Sequence, residues 1–272
     1  MNERRARLVS GGATGPGPVV CWMHRDHRAR DNWTLLFAAG LAARLGRGFV
    51  AAHCLDPAYP AATPGHFRFL VDGLKKTARE LEALGVPFVR LLGDPPVEIA
   101  RLAGELGAAA VAADFDPLRH KRAWMRRAGT ALPCPLYEVD SRNVVPCFAA
   151  SDKAEYMART IRPKIHRLLP EFLEDFPEPP RQAGHVPAIR TSYSWDEVER
   201  ALPGLAGARA PGGFEPGEAA GLAALGRFVD AGLEGYAQKR NDPSRDGQSG
   251  LSPWLHFGML SAQRTALAVF SS

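Results

Sequence analysis

Hydrophobic residues in the first half of the chain occur in short runs that alternate with longer amphipathic segments. The short runs, many of them rich in β-branched residues, are typical of strands buried on both faces of a sheet, and they cover residues 19–23, 49–55, 86–92, 108–113 and 136–139. Strands that alternate with helices predict right-handed crossovers and a doubly wound parallel sheet. We expect this α/β unit to cover residues 15–140.

The segments between these runs have helical spacing. In residues 66–84 the apolar positions recur at intervals of three and four and form one stripe, made of Phe67, Leu70, Val71, Leu74, Ala78, Leu81 and Leu84. Gly85 follows, as is common at a helix C-terminus. Asp31 is a candidate N-cap of an earlier helix, and the pair Pro95 and Pro96 suits the start of a later one.

After residue 143 the pattern no longer contains strands of this kind. Residues 151–176 carry apolar side chains at helical spacing, and Pro163, which lacks an amide hydrogen, is expected to kink this helix or to begin a new one. Residues 177–217 are crowded with proline, glycine and alanine, apart from one short strand-like or turn segment around residues 193–195. This composition is typical of a linker.

An amphipathic helix is then predicted through residues 222–236. We therefore expect an interdomain helical linker at residues 141–217 and the first helices of an all-α domain at residues 218–272.

The composition, 46% hydrophobic and 23% charged, is that of an ordinary globular protein. No apolar run has the length of an export signal or a membrane span, so we expect a cytoplasmic protein. Four cysteines lack the paired spacing of a metal site or a disulfide framework and are expected to be reduced, in or near the core; they are Cys21, Cys54, Cys134 and Cys147.

A formal net charge of +5 is compatible with a polyanionic partner but does not identify one. Three basic stretches can meet DNA phosphates, at residues 25–30, 119–127 and 159–167, although such stretches are more often solvated faces. The histidines, cysteines and serines show neither metal-ligand spacing nor the arrangement of a hydrolase. We predict no metal site.

Residues 24–33 form the first candidate ligand segment, because they follow a parallel strand at the sheet edge where ligands bind in open α/β folds. There is no GxGxxG sequence, so the dinucleotide-binding fingerprint of dehydrogenases is absent. A solvated charged loop explains the same residues equally well.

The second candidate segment is the polar loop before Pro253. Pro253 suits a first helical position with Ser252 as its cap, so the hydroxyls of Ser249 and Ser252 are expected to converge with backbone amides at a helix N-terminus that can bind phosphate. Gly250 leaves room for a ligand, and Tyr236 on the preceding helix can lie against it. A capped helix without a ligand accounts for the same spacing.

Three ordered runs resemble the photolyase and cryptochrome superfamily, and specifically its class II cyclobutane pyrimidine dimer photolyases. They are VCWMHRDHR and DNW within residues 20–33, VDSRNVVP and SDKAEYMARTIRPKI within residues 139–165, and RNDP and LSPWLHFG within residues 240–258. The resemblance covers nearly all of the chain, with His24 and His27 as departures from the residues that family members commonly have there.

The resemblance implies an α/β antenna domain, a linker and a helical domain that holds FAD in a bent conformation. The residues that match the family's flavin-phosphate contacts are Tyr236, Gln248, Ser249, Gly250, Leu251 and Ser252. Arg25 and Asp114 are the nearest matches for the pocket of a second, antenna chromophore. The implied function is that of a deoxyribodipyrimidine photolyase, a carbon–carbon lyase that repairs cyclobutane pyrimidine dimers in DNA by light-dependent electron transfer from reduced FAD.

The family's helical domain continues well past this motif, whereas the chain ends at Ser272. The resemblance therefore predicts an incomplete form whose catalytic residues are expected beyond residue 272, and which by itself retains little FAD and repairs no dimers. Two alternatives use the same residues. One is a blue-light-sensing cryptochrome-like protein, against which the class II-like runs argue, and the other is a non-catalytic truncated remnant.

Overall fold

The computed structural model describes residues 1–272. Its six strands are β1 (Ala6–Ser10), β2 (Val19–Trp22), β3 (Phe49–Leu55), β4 (Phe88–Leu92), β5 (Ala110–Asp114) and β6 (Leu136–Val139). They form one sheet in the order β1-β6-β5-β2-β3-β4, in which β2 to β6 run parallel and β1 pairs antiparallel with β6. The predicted doubly wound α/β fold is confirmed.

Eleven α-helices accompany the sheet. They are α1 (Trp33–Leu45), α2 (Pro64–Ala83), α3 (Pro95–Leu106), α4 (Arg119–Ala131), α5 (Cys147–Ala150), α6 (Ala158–Phe172), α7 (Trp195–Ala201), α8 (Glu218–Arg227), α9 (Tyr236–Lys239), α10 (Ser252–His256) and α11 (Ala262–Phe270). A π-helical turn, Phe228–Gly232, continues α8. None of these helices combines the length and the apolarity needed to span a bilayer.

Strand β2 shows why the central strands are apolar throughout. Val19 and Cys21 face one apolar layer, which includes α1 and α2, whereas Val20 and Trp22 face the other, which includes α3 and α4. Because successive side chains of a strand point to opposite faces, a strand covered on both sides needs apolar residues at every position.

Strand β1 was not predicted and lies before the range 15–140 expected for the α/β unit. None of its residues is buried, and Leu8 is 56% exposed, so it lacks the apolar alternation that marks a half-buried strand. One polar side chain of β1 contacts the neighbouring strand instead, since Arg7 forms an ion pair with Glu138 of β6 at 2.6 Å.

Several local predictions need correction. Helix α1 is capped by Asn32, whose side chain accepts a hydrogen bond from the amide of Leu35 at 3.1 Å, and not by Asp31. No new helix begins at Pro163, which lies inside α6; a kink there stays a prediction. The segment around Tyr193 is neither a strand nor a turn: residues 191–194 are irregular, the Tyr193 amide donates to the carbonyl of Arg90, and α7 begins at Trp195.

The cysteines are all unpaired. Cys21, Cys54 and Cys134 are buried, as expected, whereas Cys147 is exposed at the start of α5.

A third apolar cluster attaches the last helices to the outer face of α2. It consists of Phe69, Ala224, Leu225, Phe228, Leu251, Trp254, Met259 and Leu260. Gly258 brings this unit against the loop after β2: its φ is +66°, and a Cβ added there would lie 2.1 Å from the carbonyl oxygen of Arg25. Both the left-handed conformation and the close approach require glycine.

Glu218 forms a polar contact at the junction between the last helices and the loop after β2. It is the first residue of α8 and is 4% exposed, and its Oε2 accepts hydrogen bonds from the amides of Ala29 and Arg30, each at 3.2 Å. Burial and the neighbouring carboxyl of Glu80 raise the pKa of Glu218 to about 7. Docking of α8 therefore favours the protonated carboxyl.

The Glu218 contact predicts a pH-dependent stability. Between about pH 4.5 and pH 7, the folded chain holds a proton on Glu218 that the unfolded chain, with an ordinary pKa of 4.5, has already released. The stabilising contribution is complete below that window and is lost as the pH rises through it, by on the order of 1–3 kcal/mol. Urea unfolding between pH 5 and pH 8 measures this decrease.

In Glu218→Gln, which stays neutral and still offers an acceptor oxygen, this part of the decrease is expected to disappear. Glu178→Gln, at an exposed glutamate without an ion pair, is the control and keeps the wild-type profile. Parallel pH profiles for the wild type and Glu218→Gln would show that the Glu218 proton does not contribute.

Candidate functional site

A cavity of about 370 Å³ opens at the carboxyl edge of the sheet. Its walls come from the loops after β2 and β3, the first turns of α2 and α4, and the end of α10. Ten of its 20 lining residues are hydrophobic. A largely apolar cavity with a few polar groups, at the carboxyl ends of parallel strands, is the usual form of a small-molecule site in an α/β fold.

Buried polar groups line the inner part of the cavity. Both ring nitrogens of His24 lack a hydrogen-bond partner although the residue is only 4% exposed. His27 contacts the carbonyl oxygen of Phe257 through Nδ1 at 2.7 Å, and its Nε2 has no partner. Leaving a buried polar atom unpaired costs about 1–3 kcal/mol, so such atoms commonly belong to a site that a ligand or water completes.

Burial controls the charge of these groups. It lowers the pKa of His53 to about 4 and that of Lys121 to about 7, and it lowers the pKa values of His24 and His27 well below 6.5. The three histidines are therefore neutral near pH 7, where they can donate one hydrogen bond and accept another. Lys121 titrates near neutrality.

An aromatic frame surrounds Lys121. Its Nζ donates to the carbonyl oxygen of His24 at 3.1 Å and lies 4.1 Å from the ring centre of Trp124 and 5.0 Å from that of Tyr59. The Tyr59 hydroxyl is hydrogen-bonded to Nε2 of His120 at 2.9 Å. This wall places an amine, charged below about pH 7, between aromatic faces, and such a wall suits a planar ligand.

The two predicted antenna-pocket residues are close together but differ in position. Arg25 lines the cavity, and its Nη1 lies 3.1 Å from Oδ2 of Asp116. Asp114 does not line it: the residue is fully buried, and its Oδ2 accepts hydrogen bonds from the amides of Arg25 and Asp26, each at 2.9 Å. Asp114 therefore holds the loop that carries Arg25, and the antenna role of both residues stays a prediction.

Burial and the neighbouring Asp26 raise the pKa of Asp114 to about 7.

Sequence reasoning missed much of the cavity wall. Lys121, His120 and Trp124 fall in a stretch that we considered only as a basic surface, and Tyr59 fell outside every candidate segment. One available signal was that α4 follows β5, which places the start of α4 at the carboxyl edge of the sheet. The chain contains no group of three or more histidine, cysteine, aspartate or glutamate side chains arranged to hold a metal ion.

The six residues predicted to contact flavin phosphates lie outside this cavity. Gln248 is exposed and donates to the carbonyl oxygen of Arg240, and Leu251 is buried in the third apolar cluster. The ring of Tyr236 packs edge-on against Phe228, with their centres 5.1 Å apart.

The predicted cap is wrong. Ser252 is the first residue of the five-residue helix α10, and Leu251, at the cap position, makes no side-chain hydrogen bond. Because Ser252 is already inside the helix, its side chain does not occupy the cap position. Neither serine hydroxyl, of Ser249 or Ser252, is hydrogen-bonded to the protein, and Gly250 has a φ of +66° with open space beside it. Flavin contact by this segment stays a prediction.

Comparison with known proteins places these features in one family. The sequence model described as DNA photolyase matches residues 19–181. Curated relatives named deoxyribodipyrimidine photo-lyase include those of Potorous tridactylus, 37% identical over 99% of this chain and 52% of the relative, and Arabidopsis thaliana, 37% identical over 97% and 56%. The relative from Methanothermobacter thermautotrophicus is 32% identical over 92% of this chain and 55% of its own length. The chain thus spans about half the length of these relatives.

Solved structures share the fold. A class III photolyase from Agrobacterium tumefaciens superposes with a TM-score of 0.65 at 22% identity, covering 93% of this chain and 52% of that one. A Synechocystis cryptochrome gives 0.70 at 20% identity, covering 94% and 56%. A photolyase from Sulfolobus tokodaii, described with two FAD molecules, gives 0.70 at 17% identity, covering 93% and 55%.

Lys121 provides a test of the cavity's electrostatics. Its pKa of about 7 in the folded chain, against an ordinary 10.5, means that the cost of burying its charge is complete below about pH 7 and vanishes as the pH approaches 10.5. Lys121→Met removes the charge and keeps an unbranched stem. We expect it to raise the free energy of unfolding by on the order of 2 kcal/mol at pH 6, with a smaller gain at pH 9.

Urea unfolding at the two pH values measures the difference. Lys153→Met, at an exposed lysine without an ion pair, is the control and should change little at either pH. A Lys121→Met protein that is less stable than the wild type at pH 6, or whose gain does not depend on pH, would contradict the expected burial of the charge.

Proposed function

The chain belongs to the DNA photolyase family, and we propose that it acts in the repair of cyclobutane pyrimidine dimers in DNA by light-dependent electron transfer from reduced FAD. The proposed activity is that of a deoxyribodipyrimidine photolyase, a carbon–carbon lyase. One observation carries the proposal: similarity to relatives named for this activity extends over 99% of the chain in the alignment with the Potorous tridactylus protein.

The class II branch is the finer assignment that we propose. Its support is the three ordered runs at residues 20–33, 139–165 and 240–258, whose residue types and spacing resemble that branch. A blue-light sensor is the alternative. The names of the curated relatives favour repair, since each is called a photo-lyase.

We propose that the cavity holds the antenna chromophore, which absorbs light and passes the energy to FAD. In support, the unpartnered ring of His24 offers a hydrogen-bonding group, and the rings of Trp124 and Tyr59 offer flat apolar walls. Arg25, which is paired with Asp116, and Lys121, which is charged below about pH 7, add polar groups to the lining. These side chains can bind and orient a planar ligand and exclude water from it.

The FAD phosphates are assigned to the segment of Tyr236 and residues 248–252. Two observations support this assignment: the hydroxyls of Ser249 and Ser252 form no hydrogen bonds within the protein, and the space beside Gly250 is open. These groups can donate hydrogen bonds to a phosphate, while the flavin supplies the redox chemistry.

The division into an α/β unit at residues 15–140, a linker at residues 141–217 and a helical unit at residues 218–272 remains part of the proposal. The apolar clusters support the separation of the helical unit, because the two layers on the sheet are distinct from the cluster around Trp254. Strand β1 extends the α/β unit to before residue 15, and Val198, Leu202 and Leu205 of the linker pack into one of its layers. We also propose a cytoplasmic location, as the sequence leads us to expect.

A chimera tests the proposed activity. The chain is fused to the part of the Potorous tridactylus relative that lies outside their alignment, loaded with FAD and reduced. Ultraviolet-irradiated oligonucleotides are then mixed with it and illuminated, and the remaining dimers are counted by chromatography. We expect dimers to disappear in the light and to persist in the dark. A folded, flavin-loaded chimera without repair in the light would contradict the proposal.

The same chimera tests the flavin segment. Replacing Ser249 and Ser252 together by alanine removes two hydrogen bonds to charged phosphates, each worth about 1.5–3 kcal/mol. FAD affinity should fall by about tenfold or more, as measured by flavin absorbance after gel filtration. Ser244→Ala, in the same loop but with its hydroxyl bonded to Asp242, is the control and should retain FAD. Equal flavin content in all three proteins would exclude a phosphate contact by these hydroxyls.

A further inference from the structure

The exposed side of helix α6 carries positive charge that is not neutralised within the chain. Helical residues are rotated by about 100° from one another, which places Arg159, Arg162, His166 and Arg167 on one side. All four are exposed, and none forms an ion pair. We call these four residues the α6 basic face.

Neighbouring carboxylates are turned away from this face. Glu155 pairs with Lys164 at 2.5 Å, on a different side of the helix, and Glu171 pairs with Arg4 at 2.7 Å. The arginines of the α6 basic face therefore repel one another without an internal counter-charge. A charged face of one sign is suited to an external anion.

The opposite side of α6 already packs against the protein and is partly buried. Ile165, Leu168 and Leu169 pack against the small apolar cluster that contains Val145 and Phe172. A helix that lies in a membrane interface needs a free apolar face, which α6 does not have. This favours a polyanion in water over a lipid surface.

Two apolar side chains stand at the start of the α6 basic face. Tyr156 is 94% exposed and Met157 is 56% exposed. Hydrogen bonds lie on both sides of them: the Glu155 side chain accepts from Ser151 and Lys164, and the carbonyl oxygen of Met157 accepts from the Thr160 hydroxyl at 2.9 Å. An exposed aromatic ring next to a cationic surface is the combination that nucleic-acid-binding proteins use to stack on bases.

The other two basic stretches lack this freedom. In residues 25–30, Arg28 is buried and Arg25 lies on the cavity wall. In residues 119–127, Arg122 pairs with Glu138 and Arg127 pairs with Asp94. Of the three stretches found in the sequence, residues 159–167 are the one whose arginines are all exposed and unpaired.

We propose that the α6 basic face and Tyr156 form a DNA-contacting surface, with the arginines on backbone phosphates and the tyrosine stacked on an unpaired or splayed base. Arg159 and Arg167 are about 12 Å apart along the helix axis. One strand of DNA places a phosphate about every 3.4 Å of its axis, so this length matches three to four phosphates. The proposal rests on the proposed function only for the choice of DNA as the polyanion.

The test uses the 272-residue chain, in the dark and without flavin, and an undamaged fluorescent 20-base-pair duplex with or without one unpaired base. Binding is measured by anisotropy at several salt concentrations. The variant Arg159→Gln, Arg162→Gln and Arg167→Gln is compared with a control that has the same charge change, Arg181→Gln, Arg209→Gln and Arg227→Gln. The control arginines are exposed, unpaired and dispersed.

We expect the α6 variant to bind at least tenfold more weakly, and its salt dependence, as the slope of log K against log salt, to fall by about 2–3. The control should stay within twofold of the wild type. Tyr156→Ala should weaken binding about tenfold on the duplex with an unpaired base and much less on the fully paired duplex. Thermal unfolding of each variant verifies that the fold is intact.

Three results would overturn the proposal: no DNA binding by the wild-type chain, equal loss in the α6 variant and the control, or competition by polyglutamate as strong as that by DNA. The first two would show that α6 has no special role, and the third would show general attraction of anions. None of these readouts needs FAD or a dimer, so failure here is separate from failure of light-dependent repair.

Discussion

The guanidinium of Arg28 is buried where the sheet, the segment after β6 and the last helices meet. It donates to Oδ1 of Asp26 at 2.7 Å, to the carbonyl oxygens of Gly258 at 2.9 Å and Asp31 at 2.9 Å, and to the carbonyl and hydroxyl oxygens of Ser141 at 3.2 Å. A buried charge is costly unless it is paired and hydrogen-bonded, and losing one partner of a buried pair typically costs about 3–5 kcal/mol. These groups must therefore come together, which fixes the linker and the helical unit against the loop after β2.

The cavity depends on the same loop. His24, Arg25 and His27 of this loop line the cavity, while the Asp114 carboxyl accepts from the loop's backbone and the Phe257 carbonyl oxygen contacts His27. A change at the junction would therefore move the polar groups of the proposed chromophore site. This explains how a ligand site on the α/β unit can include residues from near the end of the chain.

The basic residues have different tasks according to the carboxylates near them. Arg28 and Arg25 are paired and partly or wholly enclosed, and they organise the loop after β2. The arginines of the α6 basic face are exposed and have no such partners. A formal net charge of +5 is compatible with all of these arrangements, because charge alone does not say where the counter-charges lie.

The central strands, the main helices and the family resemblance could be predicted from the sequence alone, because periodicity and short motifs are local properties of the chain. The sequence did not determine β1, whose exposed residues give no apolar pattern, nor the cap of α1, since Asp31 is drawn instead to Arg264 at 2.8 Å. The sequence likewise did not predict that Lys121 lies between the rings of Tyr59 and Trp124. The contacts of Lys121 with Tyr59 and of Asp31 with Arg264 join residues distant in sequence, and their free energy arises from burial and pairing that exist only after the chain has folded.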